Sequence, residues 1–408
     1  MSARPLSICL VTTFYPPHSF GGDAMHVYRL ANELARDGHA ITVVYSVDAY
    51  NLLSRLPPGE IPQHEPGVTV RPVESRLGRL VPVGTYLSGR PGLNRGALDD
   101  VFRKPFDVVH FHNVSLMGGP GVLSYGSGIK LYTMNEHWLV CPMHVLWRDN
   151  REPCLEPHCL RCTLAFRRPP QLWRYSKLLE RQVQKVHLFL SPSRFTAQAH
   201  QDRGFTRPIR HLPYFLPADE AQRVASAPPQ GGRPYFLFVG RLEKVKGAQT
   251  LVDLFRTYAE AELVIAGDGE YGDELRRQAA DVPHVRFLGR VEPQELASLY
   301  AGAIALLVPS VGFETFGVVT LEAFAQRTPA IVRDLGALPE AVQDSGAGFV
   351  YSTQSELQEA MERLRLDRAL RDELGERGHA ALLELWSPRR HLEGYFAAIE
   401  EARELAAR

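Results

Sequence analysis

The sequence predicts an α/β protein built from two doubly wound, largely parallel-sheet domains. Apolar runs of strand length alternate with amphipathic helical stretches along the chain. The alternation breaks at Leu212–Pro217 and at a Pro- and Gly-rich stretch, 225–234, and then restarts. A chain of 408 residues is long enough for two or three separate cores. With 45% hydrophobic and 23% charged residues, its composition excludes a disordered or fibrous chain.

Ser7–Thr13 reads as the first strand. The preceding Met1–Pro5 runs straight into Leu6–Val11, which is too short for a signal peptide and lacks a small-residue cleavage site. No run approaches the roughly 18–20 apolar residues that span a bilayer, so a cytoplasmic chain is expected. After a loop ending in Gly21-Gly22, Val27, Leu30, Ala31 and Leu34 recur at helical spacing and Gly38 supplies the stop. Ala40–Tyr45, Asp107–His112, Ile129–Met134 and Leu188–Ser191 read as further strands of the first half. His110 and His112 are assigned to opposite faces of their strand, with His112 either lining a ligand cleft or packing in the core. In the second half, Tyr235–Val239, Leu263–Ala266, Val285–Leu288, Ala303–Val308 and Ala330–Val332 are strand-like. Leu251–Tyr258, Val318–Gln326 and most of the chain from Glu356 onward are helical. The domains are placed at 1–212 and 213–385, with 386–408 a terminal helix. Two such domains offer ligand sites at the carboxyl ends of their strands.

Three motifs fall at those strand ends. Glu314 and Glu322 stand eight positions apart across a strand-to-helix turn, one in the loop and one in the helix. Between them, the helix N-terminus at Thr315, Phe316 and Gly317 offers backbone N–H groups and a positive dipole end to a phosphate. Gly240, Arg241 and Lys246 follow the first strand of the second half, where fixed cations can stabilise a departing diphosphate. Gly21-Gly22 opens the first helix as another anion site in form. Read singly, these are surface charges and turn glycines; their order and spacing together carry the signal.

Taken with GRLEKVKG at 240–247, AGDGE at 266–270 and Trp386-Ser-Pro near the end, they resemble the retaining, nucleotide-sugar-dependent glycosyltransferases of family 4 over nearly the whole chain. The resemblance implies the GT-B fold, two Rossmann-like domains facing a cleft, with the terminal helix crossing back to the first. It implies that Glu322 binds ribose hydroxyls and that Glu314, with the N–H groups of Thr315, Phe316 and Gly317, holds the donor sugar. Arg241 and Lys246 would hold the diphosphate of a UDP- or GDP-linked sugar, and Gly22 would close over it. No catalytic metal is required on this reading. The family's histidine after the strand ending at Met134 is replaced here: Asn135 aligns with it and His137 follows two residues later, so either is a candidate for that role. The acceptor would be a sugar or lipid-linked sugar in cell-surface polysaccharide or glycolipid synthesis. Two rivals are a nucleotide-sugar 2-epimerase and a degenerate, non-catalytic binding protein.

Two features lie outside the core resemblance. Cys141, Cys154, Cys159 and Cys162 give C-x12-C-x4-C-x2-C within an insertion, 141–162, that marks a subgroup. The spacing suits a structural zinc site; free thiols and a plant-type iron–sulfur cluster are the alternatives. Cys9 reads as a core residue. Charge is also uneven: residues 1–212 carry 25 Lys and Arg against 16 Asp and Glu, a net +9, leaving a net −9 in the remainder. The basic half could meet an anionic acceptor or the inner face of a membrane as a peripheral contact; no nucleic-acid partner is expected.

Overall fold

The strands form where aliphatic runs can be buried on both faces. The computed structural model describes residues 4–54, 57–222 and 233–408, so most of the stretch at 225–234 lies outside the described residues. In the first half the strands are β1 (Ser7–Val11), β2 (Ala40–Ser46), β3 (Val68–Val73), β4 (Val108–Phe111) and β5 (Ile129–Thr133). A short antiparallel hairpin of β6 (Trp147–Arg148) and β7 (Glu152–Pro153) follows, then β8 (Leu188–Ser191) and β9 (Ile209–His211). Seven of them make a parallel sheet in the order β3-β2-β1-β4-β5-β8-β9. Ile8–Val11 are fully buried in β1, as both-face coverage of a parallel sheet requires.

The second half gives β10 (Tyr235–Val239), β11 (Glu262–Ala266), β12 (Val285–Gly289), β13 (Leu306–Val308), β14 (Ala330–Arg333) and β15 (Gly348–Tyr351), a parallel sheet ordered β12-β11-β10-β13-β14-β15. Alternate residues of β10 divide between two cores. Phe236 and Phe238 join Leu251, Phe255 and Met361 on one face, and Tyr235 and Leu237 join Phe324, Leu338 and Trp386 on the other. Each fully buried Phe or Leu contributes roughly 2–3 kcal/mol. β3, β9 and β15 were not legible in the sequence. They are edge strands with few buried residues, with Pro72 in β3 and Gly348 in β15.

The described chain divides into two units: Met1–Val145, Glu156–Pro213 and His391–Arg408 in one, Leu146–Leu155 and Tyr214–Arg390 in the other. Helix Pro388–Ala407 therefore delivers all but its first turn to the first unit. His391, Tyr395, Ala398, Ile399 and Ala402 form its buried stripe. His391 Nδ1 donates to Pro213 O at 2.8 Å, Tyr395 Oη lies 3.2 Å from His110 Nδ1, and Arg210 pairs with Glu401 at 2.7 Å.

His391 of that stripe packs with His26, and His110 and His112 lie beside them. The rings of His110 and His112 are 4.1 Å apart, which overturns their assignment to opposite faces: two positions along an extended strand point the same way. His26 lies 5.6 Å from His391 and 6.0 Å from His112, ring centre to ring centre. Burial holds all four below the ordinary imidazole value, His112 at about 3 and His391 at about 4. The unfolded chain thus binds more protons than the native one below pH 6.5. Stability is complete above that value and falls as the pH drops through it toward 4. His391→Gln should flatten the fall by up to about 1.4 kcal/mol per pH unit, one proton's share. Urea unfolding at a series of pH values measures this, and an unchanged slope would contradict it.

Candidate functional site

In the second unit the sheet order runs outward from β10 to β12 and then returns to place β13 beside β10. This reversal opens a crevice at the carboxyl ends of the two strands, the usual ligand position in an open α/β sheet. The three loops that leave β10, β11 and β13 there are stitched together by backbone hydrogen bonds. Gly240 N–H donates to Ala266 O at 3.1 Å and Leu242 N–H to Asp268 O at 2.9 Å. Val311 N–H donates to Val245 O at 2.9 Å. Glycines permit the approach. A Cβ on Gly267 would stand 1.9 Å from Gly240 O, and one on Gly247 2.0 Å from Pro309 O, at φ values of +143° and +77°.

Within this frame Lys246 and Glu314 meet. Lys246 Nζ donates to both carboxylate oxygens of Glu314, at 2.7 and 2.9 Å, and Ser310 Oγ donates to Oε1 at 2.8 Å. Burial pushes the Glu314 carboxyl up, but the Lys246 charge and hydrogen bonds, the Ser310 hydroxyl and Arg241 together hold it below its ordinary value. Arg241 is half-exposed and pairs with Glu243 at 2.6 Å. Thr315 and Phe316 lead to Gly317, which caps helix Val318–Ala325 in the left-handed region at φ +94°, with no side-chain cap on the first turn. Glu322 lies in that helix and accepts from Tyr300 Oη at 3.0 Å. The arrangement presents two cations, an uncapped helix N-terminus and two carboxylates around one crevice, which is suited to a diphosphate flanked by hydroxyl-bearing groups.

Hairpin β6–β7 belongs to the same unit. Trp147 is buried beside the loop after β13, 3.5 Å from where a Cβ on Gly312 would sit.

The first unit has its own reversal between β1 and β4. There Gly21, at φ 153° and ψ −146°, opens helix Gly22–Arg36 without a side-chain cap. Those angles belong almost solely to glycine. Asn135 is buried, its Nδ2 3.5 Å from His112 Nδ1. His137 lies elsewhere, fully buried with its ring against Phe195 and His200. Burial drives it well below the ordinary imidazole value. The structure thus brings Asn135, not His137, to the end of β5 beside His112.

The four-cysteine segment does not form the expected zinc site. Among the described residues no group of three or more His, Cys, Asp or Glu side chains is arranged to hold a metal ion, and all five cysteines are free. Cys159 and Cys162 share one turn of helix Cys159–Ala165, whereas Cys154 follows β7 and falls in the other unit. Ordinary contacts hold the segment instead. Cys154 N–H donates to Leu146 O at 2.7 Å, and His144 pairs with Glu136 at 2.7 Å. Cys9 is fully buried in β1, a core residue as expected.

Two family models match in succession: Glycosyltransferase Family 4 over residues 20–219 and Glycosyl transferases group 1 over 219–381. The glycogen synthase of Mycobacterium tuberculosis is 30% identical over 377 residues, 84% of this chain and 81% of that one. The chain is a family 4 glycosyltransferase. Its fold is that of solved relatives too distant in sequence to say more. Sucrose-phosphate synthase from Thermosynechococcus elongatus aligns with a TM-score of 0.71 at 18% identity, over 98% of this chain and 99% of that one. HepE from Anabaena, solved in complex with UDP, aligns with a TM-score of 0.67 at 15% identity, over 97% and 100%.

Two residues of the glycosyltransferase crevice escaped the sequence reading. Ser310 stands four positions before Glu314 and had a local signal; Tyr300 lies 22 positions from Glu322 and had none. The charge balance at Glu314 generates a test. A folded carboxyl held below its ordinary value stabilises above that value and loses the contribution as pH falls. In Lys246→Met burial is left without its largest opponent, so Glu314 should rise. The variant should cost roughly 1–3 kcal/mol at neutral pH, reduced from the fully buried case because the pair retains some solvent access. The cost should shrink near pH 4.5, the ordinary glutamate value, where the carboxyl can take a proton. An equal cost at both pH values in urea unfolding would contradict the assignment.

Proposed function

We propose that this glycosyltransferase moves a hexosyl group, with retention of configuration, from a UDP- or GDP-linked sugar to a sugar or lipid-linked acceptor in cell-surface polysaccharide or glycolipid synthesis. The observation that carries the reading is the Lys246–Glu314 pair beside the uncapped helix N-terminus at Gly317. Lys246 and Arg241 face the diphosphate, Glu322 accepts from the ribose hydroxyls, and Glu314 accepts from hydroxyls of the sugar while the N–H groups after it meet the phosphate. Gly240 and Gly247 keep side chains out of the way. The family resemblance and the UDP complex of HepE support the donor class.

The chemistry balances without a protein nucleophile. The bond from the anomeric carbon to the leaving phosphate oxygen breaks, and the bond to the acceptor oxygen forms on the same face. The acceptor's proton passes to the departing phosphate. Negative charge grows on the diphosphate as the bond breaks, so Lys246 and Arg241 bind the transition state more tightly than the ground state. A cytoplasmic site of action, at the inner membrane face, fits a soluble nucleotide-sugar supply; among the described residues no helix is long and apolar enough to cross a membrane.

Thermal stabilisation across UDP-, GDP- and ADP-sugars tests the donor site. One nucleotide class should shift the melting temperature, and Glu322→Ala should abolish the shift while leaving the unliganded melt within a few degrees. Proton NMR of the product should show the donor's anomeric configuration. An altered donor sugar released without acceptor would make the chain an epimerase, and no shift with any donor would favour a binding protein.

A further inference from the structure

Five exposed apolar residues of the first unit lie on two touching elements. Helix Leu80–Ser88 buries Val81, Pro82 and Thr85 and turns Leu80, Val83 and Leu87 to solvent, at i, i+3 and i+7. Leu77 precedes the helix and Leu93 follows it, both exposed. The turn Leu172–Tyr175 packs against the same helix: Trp173 fills the space beside Gly89, and its Nε1 donates to Tyr86 O at 2.8 Å. Tyr86 Oη in turn donates to Pro169 O at 3.0 Å. The packing leaves Leu172 and Tyr175 70% and 66% exposed, as open as Leu80 at 68%. Apolar side chains scattered singly over a surface need no explanation, but five on two contacting elements, with Leu77 and Leu93 flanking the helix, mark an interaction face.

The two stretches of sequence that carry this face bear charge of one sign, although Arg95 pairs with Asp99 at 3.6 Å. Between Glu74 and Asp99 the chain carries Arg76, Arg79, Arg90 and Arg95 and no acid. Between Glu156 and Glu180 it carries Arg161, Arg167, Arg168, Arg174 and Lys177 and no acid. All of these except Arg174 are exposed. The +9 of residues 1–212 is therefore concentrated beside exposed leucines rather than spread evenly. We infer that helix Leu80–Ser88 and the turn Leu172–Tyr175 form a peripheral docking face for an anionic lipid surface. Leucines and Tyr175 enter the interfacial layer, and the surrounding arginines meet the headgroups. A second copy of the chain is the poorer occupant, because a two-fold contact would set these arginines against one another. The face does not depend on the donor-site reading, which concerns other residues.

Vesicle co-sedimentation of the full chain tests it. The protein should sediment with mixed phosphatidylcholine–phosphatidylglycerol vesicles and not with phosphatidylcholine alone, and added salt should release it. Arg76→Gln with Arg79→Gln should weaken binding roughly thirtyfold, each cation near the surface contributing about fivefold. Leu80→Gln with Leu87→Gln should weaken it as well, while both pairs keep the wild-type melting temperature and the wild-type shift with nucleotide-sugar. Absence of sedimentation with either vesicle, or binding that neither pair weakens, would overturn the inference. So would a dimer in light scattering that Leu80→Gln with Leu87→Gln dissolves, since the face would then belong to a second copy.

Discussion

Where the second sheet reverses between β10 and β13, Lys246 reaches across to Glu314 with two hydrogen bonds, 2.7 and 2.9 Å long. The pair is mostly removed from water, so each charge needs the other: a lone carboxylate there would be driven up by burial, and a lone ammonium would be costly to desolvate. The loops that carry them are joined by backbone hydrogen bonds as well, and the close approaches at Gly247 and Gly267 leave no room for a side chain. The crevice is consequently assembled before any ligand arrives. A site whose charges are already in position loses little free energy to reorganisation when a diphosphate binds or departs.

The same constraint explains which parts of the molecule were legible in the sequence. Interior strands such as β1, β10 and β11 must be apolar on both faces, and a run like Tyr235–Val239 leaves no doubt. Edge strands bury few residues and so carry little pattern, which is why β3 and β15 were not foreseen. Gly247, Arg241 and Glu314 stood out because each sits in a loop that leaves a strand end, where backbone geometry and ligand chemistry govern the residue type, and Glu322 stood out by its spacing from Glu314 in the helix that follows. Tyr300 did not, because a hydroxyl that orients a carboxylate from another helix leaves no local trace. The cysteine spacing misled for a related reason: C-x2-C is a metal pattern only when the chain folds the remaining ligands toward it. Here Cys159 and Cys162 lie along one helix turn while Cys154 ends a hairpin in the other unit.

The first unit is organised by burial of a different kind. Three histidines lie under the terminal helix and pack with its own His391, all four held neutral by burial, with Tyr395 and Thr133 bonding to His110. His112, 0% exposed, stands 3.5 Å from Asn135, the residue aligned with the family's catalytic-side histidine. An amide at that position donates a hydrogen bond without adding a titratable group to a cluster that already carries several. Asn135 is therefore consistent with the local electrostatics of this chain, whereas a further histidine would add another ring to be kept uncharged.

The measurement closest to the central claim is hydrogen–deuterium exchange of the full chain with and without UDP. If the three loops at the β10–β13 reversal hold the diphosphate, protection on adding UDP should concentrate in residues 240–247, 266–270 and 309–320. Protection that leaves those segments unchanged while appearing elsewhere would place the nucleotide at another site and contradict the account.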